Sequence, residues 1–318
     1  MTSLATPVFL KLLADRQGKP GGFLFCGSGE PALPDELREL AGKLPCFYRE
    51  PLAPALAAQL DAAGFKPMPS GALQRNDSDF ETVQPPTVDW IEGDWPLQAP
   101  PRSSGAQAAS RAMALQLVQL VSNDADTHEI EEILRRDPTL SYHLLKLVNS
   151  LGMGTGRKVT SFSQAILILG RQQLRRWLNL MLFAARSDDV RSPMLLARVS
   201  VRARTMELLA HETGQGKQVQ EQAFMVGMFS LLGVLFGVPL GELLAPLNLG
   251  DAAQQALLSK SGVLGELLAI VEAAEHCDMV AVAKGLEALP LPALDFNRLV
   301  AEANLWMLNV TGDVGNHG

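Results

Sequence analysis

The sequence predicts two domains of different class, a small α/β domain at residues 1–104 and an all-α domain at residues 106–318. Strand-like and helix-like segments alternate in the first hundred residues. A stretch rich in proline, serine and glycine then follows, and only helical patterns come after it. A chain of 318 residues is long enough for about two domains, each with its own core.

The first part combines short apolar runs with helical periodicity. Gly22–Cys26 and Cys46–Tyr48 have the composition of buried strands, and residues 34–44 and 52–65 have the spacing of helices. Residues 88–95 supply a further strand. Strands that alternate with helices predict a small α/β unit with parallel pairing.

Helix breakers mark the boundary between the two parts. They fall within a linker at about residues 96–105 and comprise Pro96, Pro100, Pro101, Ser103, Ser104 and Gly105. Beyond it, amphipathic or apolar stretches are separated by short segments that contain glycine, proline, asparagine or aspartate. This pattern predicts roughly ten to twelve helices.

One apolar segment, Ala223–Leu240, is about as long as a membrane-spanning helix and carries no charge. It contains three glycines and a proline, and its flanking charges are acidic rather than basic. We therefore expect a buried core helix that breaks near residues 237–239, and no membrane insertion.

Composition and cysteine usage limit the function classes. The chain is 19% charged with a net charge of −7, which argues against general nucleic-acid binding. Cys26, Cys46 and Cys277 are widely spaced, and the N-terminus has no basic signal-peptide region, so a cytoplasmic location is expected. None of the five histidines stands beside an aspartate, and neither a metal nor another cofactor is expected.

Charge is unevenly distributed within the helical part. Residues 157–204 hold ten basic and two acidic side chains, whereas residues 205–318 hold four basic and thirteen acidic ones. Two interpretations stay open: solvated helix faces paired with the acidic half, or a surface for an anionic ligand or protein. The candidate surface comprises Arg157, Lys158, Arg171, Arg175, Arg176, Arg202 and Arg204.

Residues 114–185 carry several signatures in register that together resemble the HDOD domain, a bacterial signalling module. The matching positions are Asp137, Pro138, Asn149, Ser150, Ser161, Ala165 and Gly170. Later segments are similar to the C-terminal half of EAL–HDOD proteins. This resemblance implies a helical bundle similar in fold to the metal-dependent HD phosphohydrolases but without their metal ligands.

Three positions correspond to the lost ligands. The His-Asp pair of an HD enzyme falls at Ser230-Leu231, and its upstream histidine aligns more loosely with Arg198. Leucine has no lone pair and arginine no acceptor, so these residues cannot bind a divalent cation. The resemblance thus implies a non-catalytic regulatory protein whose HDOD domain acts as a protein-interaction or adaptor module.

The alternatives are a divergent metal-dependent HD-type phosphohydrolase and a cyclic-dinucleotide or other nucleotide sensor. The partner, the input signal and the oligomeric state stay open. For the first part, Gly93-Asp94-Trp95 before Pro100 resembles the end of an EAL domain. An EAL domain is a barrel of roughly 250 residues, so only a degenerate EAL remnant, or an unrelated α/β unit, fits about 100 residues.

Overall fold

A computed structural model describes residues 6–29, 31–78, 80, 85–100, 189–247 and 249–311, together with isolated residues between 116 and 183. Its first part contains six strands, two helices and a short 3-10 helix. In chain order they are β1 (Phe9–Ala14), β2 (Pro20–Cys26), α1 (Glu36–Lys43), β3 (Cys46–Tyr48), α2 (Pro54–Ala62), β4 (Lys66–Pro67), β5 (Leu73–Arg75), β6 (Trp90–Glu92) and the 3-10 helix Trp95–Leu97.

The strands form one mixed sheet in the order β4-β3-β2-β1-β6-β5. Strands β2, β3 and β4 are parallel and joined through α1 and α2, as the strand–helix alternation predicts. Strand β1 was not predicted; it runs antiparallel to both β2 and β6. The expectation of parallel pairing therefore holds only on either side of β1, since β5 and β6 are again parallel.

The sheet curls strongly into a half-barrel. Phe47 on β3 and Trp90 on β6 are separated by two intervening strands, yet their ring centroids are 5.4 Å apart. In a flat sheet three strand spacings would separate them by about 14 Å. Around this aromatic pair, Leu13, Leu24 and Leu73 form a small inner cluster, while the opposite face of the sheet packs on helices.

The described C-terminal part is helical, as expected. Its helices are α3 (Ser192–Glu212), α4 (Lys217–Phe229), α5 (Leu232–Phe236), α6 (Leu240–Leu244), α7 (Asp251–Ser259), α8 (Gly262–Glu275), α9 (Met279–Ala288) and α10 (Ala293–Thr311). Helix α3 lies at the centre and packs against α4, α8 and α10. Most of the residues of α3 are buried, so this helix forms the core around which the other helices pack.

The long apolar segment is part of the protein core. Residues 217–236 are long and apolar enough to span a membrane, but the side chains of Phe224, Phe229 and Leu235 are almost completely buried in the protein. The segment is two helices rather than one, because α4 ends at Phe229 before α5 begins. Its second break, at Gly237 in the left-handed region with φ 61°, is where the sequence predicts one.

Side chains from both parts build a shared interface. Asn297 on α10 is fully buried; its side-chain oxygen accepts from the Val8 amide at 2.7 Å, and its amide group donates to the carbonyls of Thr6 and Ala32. Ala197 on α3 joins the apolar cluster formed by α1, α2 and the sheet. The division into residues 1–104 and 106–318 stays a prediction, because residues 101–115 lie outside the described part.

Candidate functional site

The site at Ser230 depends on a close approach of two helix backbones. A Cβ atom added to Gly227 on α4 would lie 2.6 Å from the Cα of Ala203 on α3, so only glycine fits there. This contact brings the end of α4 against the middle of α3. Ser230, one turn after Gly227, consequently faces Arg202, the neighbour of Ala203.

Arg202 is the centre of a buried ionic network. Its guanidinium donates to Ser230 Oγ at 2.8 Å and to both carboxylate oxygens of Glu275 on α8, at 2.7 and 2.6 Å. Glu272 Oε1 lies 3.6 Å away and also accepts from Lys260 at 2.6 Å. The Arg202 side chain is 5% exposed, so this bidentate pair is largely shielded from water.

Electrostatics keep Arg202 charged. Burial alone would lower its pKa, but the charges of Glu275 and Glu272 and the hydrogen bonds to Glu275 outweigh burial and raise the pKa above its ordinary value. Ser230 Oγ both accepts from Arg202 and donates to the Gly227 carbonyl at 2.6 Å, which uses its proton and one lone pair. Leu231 is buried and apolar.

These residues do not fit the divalent cation of an HD enzyme. The Arg202 guanidinium stands beside Ser230, and the carboxylates that could bind a cation there, Glu272 and Glu275, are already paired with Arg202. Among the residues that the structure describes, no group of three or more histidine, cysteine, aspartate or glutamate side chains could hold a metal ion. Arg202 on α3 thus connects α4 and α8 through its hydrogen bonds to Ser230 and Glu275.

Arg198 lies one helical turn before Arg202 but contacts the other part of the protein. It donates to Asp94 Oδ1 at 3.1 Å and to the Gly93 carbonyl at 2.5 Å, just after β6. The structure therefore puts Arg202, and not Arg198, beside Ser230. Gly93 has φ 115°, and a Cβ there would lie 2.0 Å from the Asn76 carbonyl oxygen, so glycine shapes this turn.

A cleft of about 150 Å³ opens between the sheet and the helices beside this turn. Glu92 on β6 is 4% exposed and pairs with Arg49 across the curled sheet, while Lys11 on β1 lies 4.0 Å away. Arg198 and His276 line the cleft from the helical side. Charged groups of both signs therefore meet here, mostly in pairs.

The described members of the candidate basic surface are paired with acidic side chains of the helical part. Arg176 and Arg204 both contact Glu207 on α3, with Arg204 Nη1 at 2.7 Å from Glu207 Oε2. The Arg176 guanidinium also lies 4.3 Å from the ring centroid of Phe224. Arg202 is buried in the network above. Arg157, Lys158, Arg171 and Arg175 lie outside the described residues.

The signature positions also lie outside the described residues: Asp137, Pro138, Asn149, Ser150, Ser161, Ala165 and Gly170. The residues that sequence reasoning missed are Glu272 and Glu275, the partners of Arg202. Both are acidic residues on a helix some seventy positions later, and only the excess of acidic side chains after residue 204 hinted at such pairing.

The model of the HDOD domain family matches residues 109–246 of this chain. The chain contains an HDOD domain. The matched range covers α3 to α6 and therefore includes Arg202, Ser230 and Leu231. Helix α8 lies outside the matched range, so Arg202 within that range pairs with Glu275 beyond it.

Two curated relatives resemble the chain. "Cyclic di-GMP phosphodiesterase CdgJ" of Vibrio cholerae is 32% identical over 200 residues, which are 62% of this chain and 46% of that protein. "Uncharacterized protein YuxH" of Bacillus subtilis is 29% identical over 161 residues, 50% of this chain and 39% of that protein. The chain thus spans less than half the length of either relative.

Among solved structures, a protein from Shewanella amazonensis SB2B named as a phosphohydrolase aligns with a TM-score of 0.42 and 16% identity. That alignment covers 64% of this chain and 93% of the other. An HDOD domain protein with unknown function from Geobacter sulfurreducens aligns with a TM-score of 0.39 and 15% identity, covering 69% of this chain and 93% of the other.

Proposed function

We propose that this chain is a non-catalytic bacterial regulatory protein that works in the cytoplasm, with its HDOD domain acting as a protein-interaction or adaptor module. The observation that carries the proposal is the guanidinium of Arg202 hydrogen-bonded to Ser230. An enzyme of the HD type needs a metal-activated water where this chain has a serine, a leucine and a neighbouring fixed cation.

The N-terminal sheet fits a supporting role in this proposal. The six strands that the described residues form are fewer than the eight of a closed barrel, and the central strand β1 is antiparallel to its neighbours. Among the described residues, the charged side chains at its mouth, Glu92, Arg49 and Lys11, interact with one another. We propose that this part is a degenerate EAL domain that serves as a structural base for the helices.

Hydrolysis assays test the absence of catalysis. Purified full-length chain is incubated with cyclic di-GMP and with bis-p-nitrophenyl phosphate in the presence of Mg²⁺ or Mn²⁺, and its metal content is measured by elemental analysis. We expect no turnover and no stoichiometric metal. The Ser230→Ala variant should likewise show no turnover and no stoichiometric metal.

The matched control is Ser259→Ala on α7. Ser259 also donates to a carbonyl of its own helix, that of Gln255 at 2.8 Å, but it is exposed and lies outside the matched range of residues 109–246. Metal-dependent hydrolysis that Ser230→Ala abolishes and Ser259→Ala leaves intact would refute the proposal and favour a divergent phosphohydrolase. CdgJ bears a phosphodiesterase name, which makes cyclic di-GMP the first substrate to try.

Thermal unfolding tests the sensor alternative. A nucleotide present at one hundred times its dissociation constant stabilises its protein by about 2.7 kcal/mol, which a thermal-shift assay detects readily. We expect no shift with cyclic di-GMP, cyclic di-AMP or GTP. A shift that Arg171→Glu and Arg175→Glu remove would replace the adaptor proposal with a sensor.

Affinity capture from the source bacterium tests the adaptor role. The adaptor model predicts that a defined set of proteins is enriched with tagged full-length chain and lost with the variant Arg171→Glu/Arg175→Glu. Lys284→Glu, an exposed lysine on α9, is the matched charge reversal and should leave that set unchanged. If the wild type and both variants captured the same proteins equally, recognition through Arg171 and Arg175 would be contradicted.

A further inference from the structure

The cleft beside the Gly93 turn lies where two neighbouring strands separate. Strands β1 and β6 pair with each other only between Ala14 and Ile91. Beyond that pair, residues 10–12 of β1 and residues 92–94 form two walls of the cleft, and residues of α3, α8 and α10 line it as well. The opening is therefore built by the sheet and the helical part together, and its chemistry depends on side chains from both.

Part of the lining is aliphatic. Four aliphatic residues line the cleft, and all of them are only partly buried, so they are not closed inside a core. They are Leu10, Leu12, Leu97 and Val201. A cavity needs about 10–15 Å³ to hold one water molecule, and the cleft measures about 150 Å³, so it has room for a ligand of roughly ten non-hydrogen atoms. Ligand sites typically combine such apolar walls with a few polar groups that fix the orientation of the ligand.

The acidic side chains of the cleft already have arginine partners. The pairs are Glu92 with Arg49, Asp94 with Arg198, and Glu275 with Arg202. Glu92 Oε2 accepts no hydrogen bond, but this atom is completely buried, so a ligand in the cleft cannot contact it. Among the described lining residues, no carboxylate is therefore left for a cationic ligand.

Two basic side chains of the cleft are less completely paired. Among the described residues, Lys11 on β1 has one acidic neighbour within 4.0 Å, Glu92 Oε2, and that distance of 4.0 Å is too long for a hydrogen bond. Arg75 on β5 donates through Nε to Asp77 at 2.7 Å, which is the one hydrogen bond that the described residues give its guanidinium. Strands β1 and β5 lie on either side of β6, so both positive charges flank Glu92. The polar end of a ligand that fits here is an anion.

We propose that this cleft binds an aliphatic monocarboxylate about the size of octanoate, with its carboxylate against Lys11 and Arg75 and its chain against Leu97 and Val201. A carboxylate accepts charge-assisted hydrogen bonds from ammonium and guanidinium groups. The chain would cover the partly exposed aliphatic residues and remove them from water. Such a ligand contacts the sheet and α3 at once. Its binding does not depend on the proposed adaptor role.

Isothermal titration calorimetry of the full-length protein tests the proposal. Octanoate below its micellar concentration is compared with 1-octanol, octylammonium and inorganic phosphate. We expect one octanoate per chain with a dissociation constant of about 1 mM or lower, a range open to a ligand of this size. The other three compounds should bind at least about tenfold more weakly, because each lacks either the carboxylate or the chain.

Three results of the titration would overturn the proposal. Failure of octanoate to bind would show that the cleft is not a site for it. Equally tight binding of 1-octanol would mean that the basic side chains play no part. Equally tight binding of phosphate would mean that the aliphatic wall plays none.

Variants test the placement of the carboxylate. Lys11→Met removes the charge and keeps much of the side-chain length, so it should weaken octanoate binding at least about tenfold. Arg75→Met should have a smaller effect, since that side chain is 56% exposed. The matched control is Lys66→Met, an exposed lysine on β4 at the far edge of the same sheet, which should leave the dissociation constant unchanged. Circular dichroism verifies that each variant is folded. Wild-type affinity in Lys11→Met would contradict the site.

Methyl NMR spectra of the wild type locate the ligand without any substitution. Octanoate should shift the methyl resonances of Leu97 and Val201. The methyl groups of Leu244 should keep their positions, because this buried residue lies on α6, which packs against α5 and α7. Shifts that miss Leu97 and Val201 would place octanoate elsewhere on the protein and refute the proposed site, even if the titration showed binding.

Discussion

Arg198 and Arg202 stand one helical turn apart on α3 and have different roles. Arg198 is 19% exposed and binds the turn after β6, so it connects the helical part to the sheet. Arg202 is 5% exposed and binds Glu275 and Ser230 inside the helical part. The comparison teaches that a basic stretch in a sequence does not identify the arginines that can reach a partner, because tertiary packing decides which of them are already neutralised.

The largest effect is expected at the buried member of this pair. Arg202→Met should lower the free energy of unfolding by about 3 kcal/mol, because it leaves Glu275 without its counterion in a largely buried position. Urea denaturation followed by circular dichroism measures the loss. The double variant Arg202→Met/Glu275→Leu should recover much of the lost free energy of unfolding. If Arg202→Met alone lost less than about 1 kcal/mol, a stabilising buried ion pair between Arg202 and Glu275 would be contradicted.

The turn that receives Arg198 should be nearly as sensitive. Gly93→Ala should cost about 2 kcal/mol, because φ is 115° and the new methyl group would collide with the Asn76 carbonyl. The matched control is Gly42→Ala in α1, where nothing lies within 4 Å of the added atom. That change should stabilise the protein by about 0.5 kcal/mol. Similar effects of the two substitutions would argue against the described turn.

Arg198 itself should matter less than Arg202. Arg198→Ala should lower stability by about 1 kcal/mol, since water can hydrate Asp94, which is 39% exposed, once the arginine is gone. Hydrogen exchange should increase at the amides around residues 93–95 and stay unchanged in α8. Increased exchange in α8 would mean that Arg198 also supports the buried network.

The smallest effect is expected for a surface arginine of the same helical part. Arg298 pairs with Glu212 and Glu302, but its side chain is 35% exposed. Arg298→Ala should change the free energy of unfolding by about 0.5 kcal/mol or less, and high salt should remove even that difference. A loss as large as that of Arg202→Met would show that burial does not set the order of these effects.

Local patterns predicted much of the fold. Strands β2 and β3 are short continuous apolar runs, helices α1 and α2 have helical spacing, and all four form where the sequence indicates them. Strand β1 was missed because Lys11 interrupts its apolar run, and its place depends on antiparallel pairing with β2. Strand β4 is only two residues long, which is too short for any pattern.

The sequence by itself predicted the helical class of the C-terminal part and its HDOD resemblance, and this resemblance places Ser230-Leu231 where an HD enzyme is expected to carry its His-Asp pair. Each of these follows from residue identity or from spacing along the chain. Only the tertiary structure decided that Arg202 contacts Ser230 and that Glu275 neutralises the Arg202 charge. Those contacts join residues far apart in sequence. They depend on how closely α3 and α4 approach at Gly227 and on how α8 packs against α3, and no local pattern encodes either.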